Sequence, residues 1–304
     1  MVAEGARRTG TQAVERALGL LRSFEVGPPT RSLSELAQLT GLTSATAHRL
    51  LRALCRADLV SHDRKTERYG LGAALVPLGS RAADVLGVSA VRPMLDSLAS
   101  TTGESVNLGV RDGSEVLVLL GVPSTQSLRF DQAAGTRVPV YASAMGKVLL
   151  AFDPDPDEAV RSVHRLTKLT EWTITSRSTL SSVLEETREQ GWAINDEERE
   201  PYVRTVAVPV RSADGWALAA VAVQGPSSRM TDDRIKALLP SLQATAAGVS
   251  TSLSALGPRG LNPTTTDLPT CPARGQPTRS VTPTQGSQAR GRARRRPPRD
   301  TRWS

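Results

Sequence analysis

Apolar residues recur at helical spacing along the first quarter of the chain: Val14, Ala17, Leu18, Leu21 and Phe24, then Leu36, Ala37 and Leu39, then Ala47, Leu50, Leu51 and Leu54. The first set predicts a helix over Thr11–Val26, stopped by Gly27-Pro28-Pro29. Ser32 followed by Glu35 has the spacing of a capping box and opens a second helix. Gly41 permits a sharp turn into a third helix, capped by Thr43 or Ser44. At 100° per residue the apolar set of that third helix shares one arc, while Ser44, Ala45, His48, Arg49, Arg52 and Arg56 share the other. One side packs and the other faces outward, the arrangement of a helix-turn-helix over residues 32–56. Two extended pieces around Leu59-Val60 and Tyr69-Gly70-Leu71 flank a polar tip, a wing whose Arg64, Lys65 and Arg68 reach phosphates or a minor groove.

Residues 72–87 continue at helical spacing through Leu75, Leu78, Ala82 and Leu86 despite Pro77, and are expected to form a connector helix. From Val88 the pattern changes to strands at Ser105–Val110, Glu115–Val122, Val203–Arg211 and Trp216–Gln224, mixed with helices near 88–101, 143–151, 178–191 and 231–256. Ala213-Asp214-Gly215 supplies a hairpin turn between the last two strands. The expected organisation is α+β: a disordered 1–10, a winged helix-turn-helix over 11–71, a linker helix over 72–87, an α/β domain with an antiparallel sheet over 88–256, and a disordered basic tail over 257–304. In the tail Pro, Thr, Gly, Ser and Arg replace large apolar residues.

Composition refines this picture at three points. The net charge of +8 divides as about +4 over residues 1–70, −4 over 71–256 and +8 over 257–304, so the basic balance comes from the tail and argues little about DNA by itself. The run from Arg290 to Arg302 admits two readings, nonspecific phosphate affinity or an extension without a role. The longest apolar run, Trp216–Val223, falls far short of the roughly 18 residues of a membrane span, and no secretory stretch precedes the first helix, so a cytoplasmic protein is expected. Cys55 and Cys271 make neither a disulfide framework nor a zinc spacing, and Cys55 reads as a small buried helix residue.

Catalysis finds no support. Of three histidines, His48 and His62 lie in the helix-turn-helix and wing, which leaves His164 alone in the second domain with no cysteine beside it over 88–256. Gly146-Lys147 lacks the upstream glycine and following hydroxyl of a phosphate-binding loop. The acidic run Asp196-Glu197-Glu198 with Glu200 reads as a solvated loop. No catalytic residue, metal site or cofactor is expected.

Several segments taken in order resemble the IclR family of bacterial transcriptional regulators: Leu33-Ser-Glu-Leu-Ala with Gly41-Leu-Thr and His48-Arg-Leu-Leu-Arg-Ala-Leu, Gly103-Glu-Ser-Val-Asn-Leu, and Arg137-Val-Pro-Val-Tyr-Ala-Ser-Ala-Met-Gly-Lys-Val-Leu-Leu-Ala. Gly191-Trp-Ala-Ile-Asn-Asp-Glu-Glu, Arg204-Thr-Val-Ala-Val-Pro-Val and Ala219-Ala-Val-Ala-Val-Gln-Gly-Pro continue the series, so the resemblance covers about residues 11–256. It implies a second domain of GAF/profilin-like type that binds a small-molecule effector and tunes operator affinity. The alternative is a second domain that only oligomerises and binds no effector. DNA contacts are expected from Ser44, Ala45, Thr46, His48, Arg49, Arg52, Arg64, Lys65 and Arg68, on a palindromic operator read by a homodimer or dimer of dimers.

For the effector, the resemblance points to the Ala144 and Met145 amides at a helix start, with Asn195, Thr205, Ala222 and Gln224 along the sheet and Phe130, Val138 and Val203 as apolar lining. Four of these depart from the family pattern. Its common aspartate, cysteine and two serines fall on Asn195, Thr205, Ala222 and Gln224, and Tyr202 stands where a glycine is usual. An unmade donor to a ligand oxygen costs about 1–3 kcal/mol, so an effector other than the family's small keto acids is expected.

Overall fold

A computed structural model of the chain describes residues 8–25 and 27–255. The expected tail over 257–304, with Cys271 and the arginine run, and most of the expected disordered N-terminus lie outside the described residues.

The N-terminal module is built on α1 (Arg8–Arg22), α2 (Leu33–Thr40) and α3 (Ser44–Arg56). Helix α1 starts three residues before the expected position and ends four before it. The capping box at α2 is complete: Ser32 N–H donates to Glu35 Oε2 at 2.6 Å and Glu35 N–H donates to Ser32 Oγ at 3.3 Å. The bond from the Ser32 backbone N–H, and then the Ser32 hydroxyl facing the same carboxylate, hold the Glu35 carboxyl below its ordinary value. Gly41 ends α2 at φ 65°, and Thr43 caps α3 by accepting from Thr46 N–H. Leu20, Leu36, Ala47, Leu51 and Val60 close one core between the three helices and the wing.

The wing pairs β2 (Val60–Asp63) with β3 (Arg68–Leu71), and β3 also pairs with β1 (Thr30–Ser32), a three-residue strand that no apolar alternation announces. The linker helix α4 (Leu75–Val85) accommodates Pro77 because the residue falls in its first turn, where no helical hydrogen bond needs its N–H. Gly87, at φ 76°, then turns the chain into α5 (Val88–Thr102).

The second module is a six-stranded antiparallel sheet in the order β6-β5-β4-β9-β8-β7. Its strands are β4 (Ser105–Asp112), β5 (Glu115–Val122), β6 (Arg137–Pro139), β7 (Ala193–Asp196), β8 (Val203–Arg211) and β9 (Ala217–Pro226). Both faces are covered. On one, Val106, Leu108, Val206, Val208, Val221 and Val223 pack with α5 and with α9 (Asp232–Ser254). On the other, small residues including Ala207, Ala220 and Ala222 let α6 (Ala144–Ala151) lie directly on the strands, with all eight of its residues buried. Helix α7 (Pro156–Arg161) and helix α8 (Arg177–Gln190) complete that layer. Glycines make the close approach possible: a Cβ at Gly109 would stand 3.0 Å from Met145 Sδ, and one at Gly146 would collide with the Val140 backbone.

Candidate DNA interface and effector pocket

The outward side of α3 is open. Ser44, Ala45, His48, Arg49, Arg52 and Arg56 are exposed, and Thr46 is half-buried with its hydroxyl accepting from Thr43 Oγ1 at 2.9 Å. At the wing tip Asp63 accepts from Lys65 N–H at 2.9 Å and from Thr66 Oγ1 at 2.7 Å. The Thr66 bond and then the Lys65 bond keep the Asp63 carboxyl below its usual range. The turn so formed projects Arg64 and Lys65 outward, both exposed. Among the described residues no carboxylate pairs with Arg49, Arg52, Arg56, Arg64 or Lys65.

Arg68 behaves differently from its wing neighbours. Its guanidinium donates to Thr30 O at 2.8 Å, Thr30 Oγ1 at 3.0 Å and Glu35 Oε2 at 3.3 Å, so it ties β1, β3 and the start of α2 together. A groove of about 550 Å³ runs between α3 and the wing, with His48, Arg52, Arg56 and Arg64 on its walls. His62 stacks on Tyr69 along it, ring centroids 4.3 Å apart. Cys55 also lines it and is half-buried rather than buried; desolvation pushes its thiol up.

In the second module strand register gathers the residues expected at the effector site. Asn195 lies opposite Thr205, Thr205 opposite Gln224, and Gln224 opposite Ser105, which makes one row across four strands. One step inward the row is Ala193, Ala207, Ala222, Asn107 and Gly121. The α6 N-terminus lies over this face, with Ser143 Oγ accepting from Gly146 N–H at 3.1 Å. That bond leaves the first two helical amides, Ala144 and Met145, which a helix cannot pair by itself.

Gln224 is the hinge of the polar network. Its Nε2 donates to Phe130 O at 3.0 Å, and its Oε1 accepts from Gln132 Nε2 at 2.7 Å and from Thr205 Oγ1 at 3.4 Å. Turned over, the Gln132 amide instead accepts from the Arg199 guanidinium at 2.7 and 3.1 Å. The segment carrying Phe130 and Gln132 crosses β5 at Gly121, where any Cβ would strike the Gln132 carbonyl. Asp131 fastens the same segment. Burial opposes its charge, but bonds from Ser105 and Arg129 side chains and the Ser124 N–H outweigh that and lower its carboxyl. Outside the Gln132–Gln224 bridge lies a cleft of about 380 Å³, lined by Phe130, Thr136, Arg137, Val138 and Arg199 among others. Val203 is buried one row outward, opposite Pro226.

The acidic run is not the solvated loop expected from its composition. Glu198 is buried and pairs with Lys147, whose ammonium also donates to Ile194 O at 2.8 Å. Asn195 Oδ1 accepts from Glu198 N–H at 2.9 Å, and Asp196 pairs with Arg204 at 2.9 Å. Tyr202, at φ 66°, holds the left-handed turn that a glycine would adopt freely, with its N–H on Glu197 Oε2 and its carbonyl accepting from Ser227 N–H. Sequence reasoning passed over Asn107, Gln132 and Arg199. For Asn107 a signal existed, an amide set between Val106 and Leu108 in the middle of a strand.

No helix among the described residues is long and apolar enough to cross a membrane, and no cluster of His, Cys, Asp or Glu among them is arranged to hold a metal.

Comparison with known proteins matches residues 13–64 to the IclR helix-turn-helix domain and residues 82–251 to the bacterial transcriptional regulator IclR C-terminal domain. The glycerol operon regulatory protein of Streptomyces griseus is 36% identical over 248 residues, covering 80% of this chain and 97% of its own. The HTH-type transcriptional repressor AllR of Escherichia coli is 31% identical over 257 residues, 83% of this chain and 93% of its own. The crystal structure of an IclR transcriptional regulator from Alicyclobacillus acidocaldarius superposes with a TM-score of 0.73 at 30% identity, covering 79% of this chain and 98% of that one.

Proposed function

Because the chain belongs to the IclR family of DNA-binding transcriptional regulators, we propose that α3 and the wing tip read an operator whose affinity is set by a small molecule held under α6. The observation that carries the DNA half is the set of exposed cations Arg49, Arg52, Arg56, Arg64 and Lys65 on the outward side of α3 and the wing tip, of which Arg52, Arg56 and Arg64 line one groove. Elsewhere in the protein arginines such as Arg111, Arg204 and Arg229 are bound to acids. Arg49 and Arg52 are positioned to bond guanine edges, while Arg64 and Lys65 neutralise phosphates and Arg68 holds the wing in place. The protein acts as a binding switch, not as an enzyme, in line with relatives named as regulators.

Homodimers, alone or paired as dimers of dimers, are part of this reading. Helix α4 buries none of its residues, yet Val76, Leu78 and Val85 are exposed along it, and Val14 and Leu18 are exposed on α1. Such apolar faces favour a second copy, whose two-fold symmetry would match a palindromic operator. The effector half rests on the row of Asn195, Thr205 and Gln224 beneath the α6 N-terminus, with the closed Gln132–Gln224 bridge as the part that a ligand would rearrange. A ligand shifts DNA affinity only if it binds the two states unequally.

A thermal-shift screen of the full chain over organic acids, sugars and aromatic acids tests the effector half, followed by operator titration with each hit. The expected result is a compound that raises the melting temperature, changes operator affinity, and loses both effects in Thr205→Val and Gln224→Ala. Hits that leave operator affinity unchanged, or none at all, would favour a purely oligomerising domain.

A further inference from the structure

Two of the chain's three histidines, His48 and His62, stand on the walls of the groove of about 550 Å³ between α3 and the wing. His48, Arg52 and Arg56 follow one another at four-residue spacing and make a stripe along α3, while Arg64 stands on the wing side. Asp58, in the turn after α3, is the only acid among the described residues that line the groove. His62 is held on two sides. Its ring stacks on Tyr69, its partner across the strands, and its Nε2 lies 3.4 Å from Glu67 Oε2 without a hydrogen bond. Glu67 sits in the hairpin at φ 52° and is largely exposed, whereas Asp63 is taken up by Lys65 N–H and Thr66 Oγ1. Tyr69 and Cys55 also line the groove, and both stay neutral near neutral pH because burial pushes the phenol and the thiol up.

We propose that this groove seats one sugar–phosphate strand of the operator, and that His48 and His62 take up protons as the phosphates enter. The assignment rests on the operator reading above and adds to it what this groove holds and how it answers to pH. Three arginines against one acid suit a polyanion, and Arg56 and Arg64 neutralise its phosphates from the two walls. Unprotonated, the two imidazoles add no charge, and the Glu67 carboxylate repels the strand. Protonated, His48 adds a cation to the α3 wall, and His62 turns its approach to Glu67 into an ion pair that cancels that repulsion. A nearby phosphate favours the charged imidazole, so each histidine keeps its proton to higher pH in the complex than in the free protein. The gain in affinity is therefore complete below the titration of the free protein and is lost as pH rises through that of the complex. Imidazole chemistry places this loss between about pH 5 and 8. Because the strand is held by its backbone, the loss applies to any duplex and leaves sequence choice to the rest of α3.

The test is fluorescence anisotropy of the full chain on its own promoter duplex and on a scrambled duplex, from about pH 5.5 to about pH 8 at one salt concentration. Affinity for both duplexes should fall by about tenfold across that range, with their ratio constant. His48→Gln/His62→Gln should flatten the profile to within about twofold, whereas His164→Gln, exposed in the second module, should leave it as it is. Since glutamine at position 62 also removes the stack on Tyr69, Glu67→Gln serves as a second variant; it should strengthen binding at about pH 8 and make the profile shallower. Arg56→Gln should lower the slope of log affinity against log salt by about 1 on both duplexes. A flat profile in the unsubstituted chain, a profile that survives His48→Gln/His62→Gln or is as steep in Glu67→Gln, or a salt slope untouched by Arg56→Gln overturns the assignment. Promoter preference without a pH response leaves the operator reading standing and removes only the proton-linked seat. A pH response without promoter preference removes the operator reading and keeps the seat for DNA of any sequence; no binding at any pH removes both.

Discussion

Lys147 is 2% exposed, and its charge is held by one carboxylate, Glu198, and one backbone carbonyl, that of Ile194. The pair joins α6 to the loop that carries Arg199 to the cleft. Glu198 Oε2 has no partner, which makes the pair costly to bury and more costly to break. Lys147→Met should therefore destabilise the protein by about 3–5 kcal/mol, while Lys147→Met combined with Glu198→Leu should recover most of the loss. Urea unfolding midpoints of the two variants measure this; equal destabilisation by both would show that packing, and not the orphaned charge, sets the cost. Single residues were legible where their chemistry is local. Ser32 with Glu35 and the Thr43 cap act on backbone a few residues away, and both form as their spacing requires. Glu198 was misread because its partner, Lys147, lies 51 residues away in sequence, and the tie from Arg68 to Thr30, 38 residues away, leaves no local sign for the same reason.

The same distinction holds for elements. Strands β5 and β8 fall at their expected bounds because eight or nine residues of apolar pattern define them without help. Strands β1, β6 and β7, of three or four residues, exist because a neighbour offers unpaired backbone, and no periodicity in so short a run foretells that. Helix α6 was expected at its observed place, but its complete burial depends on alanines and glycines far away in sequence. Within the helix itself, Gly146 lies directly against the Val140 backbone. Gly146→Ala must push α6 away from the Val140 backbone, at a cost of about 1–3 kcal/mol in stability, and should also loosen the effector compartment. Thermal unfolding with and without a bound hit from the screen checks this: the melting temperature should fall, and the ligand-induced rise should shrink with it. An unchanged melting temperature would mean that the helix has room which the contacts deny.

For the whole molecule, charge distribution separates attraction from reading. The strongly basic stretch over 257–304 is distant from α3 in sequence, so overall basicity predicts nonspecific affinity and says nothing about sequence choice. On the proposed reading, choice belongs to the outward side of α3, where Arg49 and Arg52 are exposed. The fold of both modules, their order and the open polar side of α3 were open to inspection in the sequence, because each follows from periodicity and capping within one segment. The row beneath α6 was only half visible, since it is assembled by the register of β7, β8, β9, β4 and β5, and Asn107 becomes conspicuous only when its neighbours in that row are known.

The most direct test is the ratio of affinities for the chain's own promoter duplex and a scrambled duplex, measured by fluorescence anisotropy at one fixed, moderate salt concentration. The full chain should favour its promoter by about 10³-fold or more, the ordinary range for a specific DNA-binding protein. Arg49→Ala/Arg52→Ala should cut that ratio by at least tenfold while leaving affinity for the scrambled duplex nearly intact. A ratio unchanged by the double substitution would contradict the assignment of sequence reading to α3.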